Sequence, residues 1–481
     1  MRKLVIILCA PIDNLNMQEA LARIEEFIRI GRKIGKTHQI ATVNADFVVK
    51  ALSDPELRYL LQEADMATAD GMPLVWGARL LGTPLEERVA GADMIPALAE
   101  ISAQKGYSMF FLGAAPGVAA RAGDILRAKH PDLKIVGILS PPQSSVLEMD
   151  PAIIEAIKNA KPDILLVAFG NPKQEKWIGM YGRELGVPVM IGVGGTFDFI
   201  AGQTKRAPLW MQNIGLEWTF RLAQEPRRLW KRYVVDMAAF GSFFVRQWWV
   251  TRRRAMPSPM LPQTDVIVID QIAILNVAGR IDFSNSSLIA KKGQQALETT
   301  PNLIVNLAQT TFLDSTGIGT LVGLAKRARD AGGGLKLAAV PVSVMRVLTM
   351  LRLDQFFEFI KRVEDGLGKS TGSGSLDRVG KWRVYRVPRR FDADGSPGIS
   401  ASCSQLLHVD PHLILDFTDT VFLGSAGLAA MLNINRLALE KSGALRVSSC
   451  SEDVHKVIKM VRFDKVLSIH PDVQSAATAP S

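Results

Sequence analysis

Cysteine is nearly absent from this 481-residue chain: Cys9, Cys403 and Cys450 are an odd number, far apart in sequence. That excludes a disulfide framework and a cysteine zinc site, and it suits a reducing compartment. The histidines are scattered, with no HExxH or similar ligand spacing, so no structural or catalytic metal is expected. No run of about 18 or more apolar residues occurs, so nothing clearly spans a bilayer. Neither GxGxxG nor GxxxxGK[ST] is present, so neither dinucleotide binding nor ATP hydrolysis is indicated. The start, MRKLVIILCAP, looks like a signal peptide. Its apolar run is short, however, and leads straight into the amphipathic PIDNLNMQEALARIEEFI, so a first buried strand is the reading.

What is present begins with length, which calls for roughly two to four domains. Up to residue 215, apolar runs such as HQIATVN, YSMFFLG, LKIVGIL, DILLVAFG and VPVMIGVGG alternate with helical patterns. Continuous apolar strands between helices predict an α/β domain with a parallel sheet covered on both faces. The net charge of +10 is concentrated. Between Arg221 and Arg254 lie nine basic residues and two acidic ones, 9 − 2 = +7, interleaved with Trp218, Trp230, Trp248 and Trp249. Such helices lie at a lipid interface, each basic residue contributing about 1 kcal/mol near an anionic surface. Residues 216–254 are therefore expected to be a basic amphipathic membrane appendage, with 234–250 a shallow, partly inserted helix. Packing on a later module is the alternative. No nucleic-acid-binding signature accompanies the stripe, so no nucleic-acid partner is expected. MPSPMLPQT, residues 256–264, reads as a linker.

Three features of the first 215 residues bear on chemistry. A strand ends in Thr42 and Asn44 ahead of a helix, where an open α/β sheet gathers ligands; both side chains are equally suited to cap that helix. Asp70 stands in an Asp-Gly turn, as a general base or only as a turn residue. Arg88 follows, a guanidinium able to clamp a phosphate bidentately. Glycine turns at FFLGAAPGVA (Gly113), VAFGNPKQEKW and IGVGGTFDFIAG (Gly194) let backbone amides approach phosphates.

In order, TVNADF, ADGMPLVWGARL, ERVAGADM, FFLGAAPGVA, ILLVAFGNPKQEKWI, GVGGTFDFIAGQTKRAP and GLEWTFRLAQEPRRLWKRY resemble the WecG/TagA/CpsF glycosyltransferase family, over residues 1 to about 235. The resemblance implies a Rossmann-like inverting enzyme that moves a hexose from a UDP-sugar to a polyprenyl-pyrophosphate-linked acceptor, without a metal cofactor. No DxD occurs in residues 1–250. It places the base at Asp70, its conserved Thr and Asn at Thr42 and Asn44, its ERV-G arginine at Arg88 and its PKQE glutamine at Gln174. Arginines of the appendage that complete the site fall on Arg221, Arg227 and Arg232. A cytoplasmic enzyme, peripheral on the inner face of the membrane and serving exopolysaccharide or capsule assembly, follows. The rival is a catalytically silent scaffold that binds nucleotide sugar.

The C-terminal part repeats itself. Residues 302–357 align with 412–467 at a constant offset of 110, without a gap and with 15 of 56 positions identical. Two copies of a domain-sized unit follow, not a solenoid. GLGKSTGSGS, residues 366–375, separates them as a flexible linker. The signatures FLDSTGIG and FLGSAGLA resemble the STAS domain of anti-sigma-factor antagonists, over 265–364 and about 380–475. In that family the serine is a phosphorylation switch, which falls on Ser315 and needs a kinase, phosphatase or other partner from outside the chain. In the second copy Gly424 replaces the aspartate before Ser425, which argues against switching there. Ordinary helix N-capping is the other reading of both serines.

Overall fold

The computed structural model describes residues 3–141, 150–208, 210–211, 216–224, 226–252, 264–269, 271–282, 284–367, 376–393 and 395–479. Both expected linkers, 256–264 and 366–375, fall largely outside the described residues. Two compact units form: one holds the N-terminal domain with the first repeat, the other is built chiefly from residues 369–481.

The N-terminal domain opens on an antiparallel hairpin of β1 (Leu4–Ile7) and β2 (Ala10–Asp13). Helix α1 (Met17–Ile34) starts where Asn16 and Glu19 make a reciprocal capping box, and it stops at Gly35 in the left-handed region. Next come β3 (His38–Val43), α2 (Ala45–Ser53), α3 (Pro55–Glu63), β4 (Met66–Ala69), α4 (Met72–Leu80) and α5 (Gly91–Lys105). They are followed by β5 (Ser108–Gly113), α6 (Val118–Lys129), β6 (Lys134–Leu139), α7 (Pro151–Ala160), β7 (Ile164–Ala168), α8 (Lys173–Leu185), β8 (Val189–Gly192) and α9 (Thr196–Ile200).

Six strands, in the order β4-β3-β8-β7-β5-β6, make one parallel sheet. Strands β4, β7 and β8 are buried at every position, because helices cover both faces. Successive side chains feed separate cores: Ile40 and Met66 point to the core with α1, α5 and α6, while Ala41, Val43, Ala67 and Ala69 point to the core with α2, α3 and α4. The sheet order jumps from β3 to β8, and the ligand crevice of open α/β folds lies at the carboxyl ends of the strands. The N-terminal run is the buried strand expected of it, but it sits in the hairpin rather than in the sheet.

Helices α10 (Glu217–Gln224) and α11 (Pro226–Arg252) form the basic appendage. Phe240, Phe244 and Gln247, spaced i, i+4, i+7, are buried in the N-terminal domain's own core. The Gln247 side chain pairs with the hairpin backbone, accepting from Leu8 N at 2.8 Å and donating to Ile6 O at 2.9 Å. The segment expected to lie partly in lipid therefore commits one face to protein, and that protein is the domain itself rather than a later module. Trp230, Met237, Phe243, Val245 and Trp249 remain exposed on α11. Among the described residues no helix is long and apolar enough to cross a membrane.

The first repeat runs β9 (Thr264–Ile269), β10 (Ile272–Val277), β11 (Gly279–Ile281), α12 (Ser286–Thr299), β12 (Asn302–Asn306), β13 (Thr310–Leu313), α13 (Ser315–Asp330), β14 (Gly334–Ala338), α14 (Val342–Met350) and β15 (Glu358–Ile360). Its sheet, β15-β14-β12-β10-β9, is parallel except for the edge strand β9. The second repeat is β16 (Leu376–Val379), β17 (Trp382–Arg386), β18 (Arg390–Phe391), α15 (Ser396–Val409), β19 (His412–Asp416), β20 (Phe422–Leu423), α16 (Ser425–Glu440), β21 (Ala444–Ser448), α17 (Glu452–Met460), β22 (Ser468–His470) and α18 (Val473–Thr478). Helices α13 and α16 start 110 residues apart, as do α14 and α17. Neither Ser315 nor Ser425 is the cap of its helix. Asp314 is the N-cap of α13, accepting from Thr316 N and Gly317 N at 2.8 Å each, and Gly424 takes that place in the second copy. Ser315 is the first helical residue and is buried.

Helix α13 lies on strand β1. Leu4 and Ile6 belong to the core of the first repeat, whereas the alternate residues Val5 and Ile7 belong to the core of the N-terminal domain. The approach is close enough that a Cβ on Gly319 would stand 2.4 Å from Leu4 O. Polar contacts frame this seam: Lys36 Nζ to Asp330 at 2.8 Å, Lys326 Nζ to Ala64 O at 2.8 Å, Gln62 Nε2 to Arg352 O at 3.3 Å, and an Arg329–Glu63 ion pair.

Candidate active site

Four of the side chains singled out in the sequence stand at the carboxyl edge of the sheet or on a helix that follows it, and a fifth, Arg88, stands in the loop before α5. Thr42 is the last residue but one of β3 and does not cap α2; its Oγ1 donates to Gly192 O at the end of β8, 3.1 Å away. Asn44 is the cap, accepting from Phe47 N at 3.1 Å. Asp70 follows β4, and its N donates to Val43 O at 2.7 Å, which ties it to the end of β3. Gly71 has φ of 153°, a conformation open to glycine, and the Cβ position there lies 3.7 Å from Asn44 Cβ. Asp70 and Asn44 thus flank one turn. The start of α5 closes in from the other side: a Cβ on Gly91 would meet Thr42 Cγ2 at 3.2 Å and Thr196 Oγ1 at 3.5 Å.

Gln174, near the start of α8, fastens two loops. Its Oε1 accepts from Gly170 N at 3.2 Å and from Gly194 N at 3.0 Å, so the turns after β7 and β8 share one carboxamide. Its Nε2 donates to Glu175 Oε1 at 2.8 Å. Glu175 is 1% exposed, and burial pushes its carboxyl up to about 8, against the hydrogen bond from Gln174. It is therefore mostly protonated at neutral pH. Gly192 leaves room for both side chains, since a Cβ there would stand 2.4 Å from Glu175 Oε1 and 2.6 Å from Gln174 Nε2. Gly113 ends β5 with φ of 101°, three strands from β3, or roughly 14 Å at about 4.8 Å per strand. It lies along the same edge but outside the Thr42–Asp70 cluster.

Arg88 is held by two carboxylates: Nη2 to Asp93 Oδ2 and Nη1 to Glu217 Oε2, both 3.1 Å. Asp93 lies in the first turn of α5 and Glu217 opens α10, so Arg88 joins the sheet edge to the appendage. Arg206 reaches the same pair, through both Nη atoms to Asp93 and with Nε 4.0 Å from Glu217. Its proton affinity is raised by the Asp93 hydrogen bonds first, with smaller help from the charges of Asp93, Glu217 and Asp70. Asp93, Arg206, Glu217 and Glu175 were not singled out in the sequence, although all four lie in motifs whose order was informative. The side chains of Arg221, Arg227 and Arg232 lie outside the described residues. Among the described residues no group of three or more His, Cys, Asp or Glu is arranged to hold a metal ion. Chemically, the cluster offers a carboxylate beside a polar strand end, turns rich in backbone amides, and two guanidiniums on a common carboxylate.

The glycosyl transferase WecG/TagA/CpsF family model matches residues 5–254, and the STAS domain model matches twice, at 263–366 and 375–476. An N-acetylglucosaminyldiphosphoundecaprenol N-acetyl-beta-D-mannosaminyltransferase of Bacillus subtilis (strain 168) is 32% identical over 222 residues, which are 46% of this chain and 84% of that protein. The protein of the same description from Bacillus spizizenii (strain ATCC 23059 / NRRL B-14472 / W23) is 33% identical over 193 residues, 40% of this chain and 73% of its own. A crystal structure of an anti-sigma factor antagonist from Mycobacterium paratuberculosis covers 23% of this chain and 96% of its own, at 21% identity and a TM-score of 0.22.

Proposed function

The chain belongs to the glycosyl transferase WecG/TagA/CpsF family and is a glycosyltransferase with two C-terminal STAS domains; from that premise we propose which transfer it performs. It moves a hexose, of the N-acetylmannosamine type, from its UDP-sugar to an N-acetylglucosamine carried on polyprenyl diphosphate, within exopolysaccharide or capsule assembly. The observation that carries this reading is the gathering of Thr42, Asn44 and Asp70 at adjoining strand ends, with Arg88 held beside α5. Asp70 takes the proton of the acceptor hydroxyl. The hydroxyl oxygen bonds to the anomeric carbon as the bond from that carbon to the diphosphate oxygen breaks, with inversion, and UDP leaves with the electron pair. Arg88, the amides of the Gly170 and Gly194 turns, and Arg221, Arg227 and Arg232 of the appendage meet the charge on the leaving diphosphate. No metal cofactor takes part.

A lipid-linked acceptor calls for a protein at the membrane, and we place this one on the cytoplasmic inner face. Supporting it, Trp230, Met237, Phe243 and Trp249 of α11 are exposed, as are Trp76 and Leu80 of α4, and the two helices touch where Gly77 abuts Phe244. Loss of co-sedimentation with anionic vesicles in a Trp230→Ser, Trp249→Ser protein is the expected result; unchanged binding argues against this face. Regulation runs through the STAS domains, with Ser315 the site for an outside kinase and phosphatase. At 3% exposure, Ser315 is reached only when the first turn of α13 opens.

The deciding experiment is transfer of radiolabelled sugar from a panel of UDP-sugars onto polyprenyl-diphosphate N-acetylglucosamine, in native and Asp70→Asn proteins. Transfer that disappears with Asp70 is expected. Normal turnover by Asp70→Asn removes Asp70 from the mechanism. UDP binding without transfer from any donor replaces the enzyme with a silent scaffold.

A further inference from the structure

Two guanidiniums, not one, stand on the carboxylates beside Asp70. Arg88 comes from the loop before α5 and Arg206 from the loop after α9, yet both bond Asp93 Oδ2, at 3.1 and 3.2 Å. Glu217 lies 3.1 Å from Arg88 and 4.0 Å from Arg206. Asp93 and Glu217 oppose the two guanidiniums, and the charge of Asp70 also acts on Arg206. The two arginine side chains are only 18% and 25% exposed. A purely structural ion network of this kind is a weak source of stability, because desolvation offsets much of the attraction. Its geometric effect is clear: one carboxylate fixes two planar forks side by side. A guanidinium carries its five N–H donors in a planar fork. Paired forks of that kind match the oxygens of two linked phosphates.

We propose that Arg206 is the second guanidinium of a diphosphate clamp, paired with Arg88, and that Asp93 is the positioning residue that sets the pair. The clamp binds the diphosphate of the nucleotide sugar and then receives the charge that builds on departing UDP. This rests on the transfer reading given above, and it adds the residues that recognise the diphosphate.

Calorimetric titration of the full-length protein with UDP and with inorganic pyrophosphate tests it apart from turnover. Arg206→Lys keeps the charge and loses the fork, and both affinities should fall roughly 10- to 100-fold, with the melting temperature held. Turnover lost in Arg206→Ala should return in part with free guanidinium ion. Asp93→Asn separates positioning from simple charge. Removing an anion next to an anion site should tighten pyrophosphate if only charge matters, whereas loss of positioning weakens it and raises the KM for the UDP-sugar more than it lowers kcat. The inference is overturned by native affinity for UDP and pyrophosphate in Arg206→Lys, by tighter pyrophosphate binding in Asp93→Asn, or by a native protein that binds neither ligand. A native protein that transfers no sugar but loses pyrophosphate affinity with Arg206 refutes the transfer reading and leaves the clamp standing.

Discussion

Helix α13 contains three glycines, of which Gly319 and Gly323, beyond the first turn, differ in what lies above them. Substituting either with alanine should favour the helix by about 0.5–1 kcal/mol, because glycine loses more backbone freedom on folding. At Gly323 nothing lies within 4 Å of the new methyl, so the gain should appear in full. At Gly319 the methyl would meet Leu4 O at 2.4 Å, with Leu4 C at 3.0 Å and Leu4 Cβ at 3.1 Å. These are mostly backbone atoms of a strand that Gln247 holds from its other side, so the hairpin must shift. Such overpacking costs about 1–3 kcal/mol. The shift also exposes part of Leu4 and Ile6, each worth about 1.5–3 kcal/mol when fully buried. Gly319→Ala should therefore be net destabilising by about 1–3 kcal/mol, and the two variants should differ by about 2–4 kcal/mol. At about 2–4 °C per kcal/mol for a unit of this size, scanning calorimetry would separate them by roughly 4–16 °C. Hydrogen exchange of residues 4–13 should quicken only in Gly319→Ala. Equal stabilisation by both substitutions refutes the packing of α13 on β1. The second repeat already carries the substitution: the residue 110 positions after Gly319 is Ala429.

Glu175 supplies a pH signature. Its folded value of about 8 lies above the unfolded value of about 4.3, so its contribution is intact below about pH 4.3 and is lost progressively until about pH 8. Glu175→Gln keeps an acceptor for Gln174 and removes that slope; the variant should match the native protein at pH 4 and exceed its melting temperature at pH 9, and parallel curves across this range count against the buried, protonated carboxyl. Gln247→Leu leaves the buried Leu8 N and Ile6 O without partners and should cost about 2–4 kcal/mol in urea unfolding. A change under about 0.5 kcal/mol, as at an ordinary surface position, rules out the pinning role.

The parallel sheet was legible because strands buried on both faces are continuous apolar runs. Strand β4 was not, since MATA is four residues long and its Thr68 breaks the run. Residues at strand ends were legible through the order of their motifs. Arg206, Asp93 and Glu217 were not, because their meeting brings together a helix start and a loop 113 positions apart in the chain. The apolar stripe of α11 was visible, but a stripe states only that a face is covered, and Phe240, Phe244 and Gln247 are covered by protein. FLDSTGIG announced a helix start; the aspartate rather than the serine caps it, because the Asp314 carboxylate accepts two amides at once. The burial of the first repeat's helix against Leu4 could not be read locally at all.

Strand β1 leaves the ribosome about 300 residues ahead of the helix that begins at Ser315, and half of its side chains wait for that helix. At about 5–20 residues per second, that interval is roughly 15–60 s. Through it, Leu4 and Ile6 face water on a two-stranded hairpin, an element marginal by itself. Synthesis order and folding order therefore diverge, and the N-terminal domain matures only as the first repeat emerges. A boundary drawn at the proline-rich stretch would cut through this shared strand in space while leaving it whole in sequence.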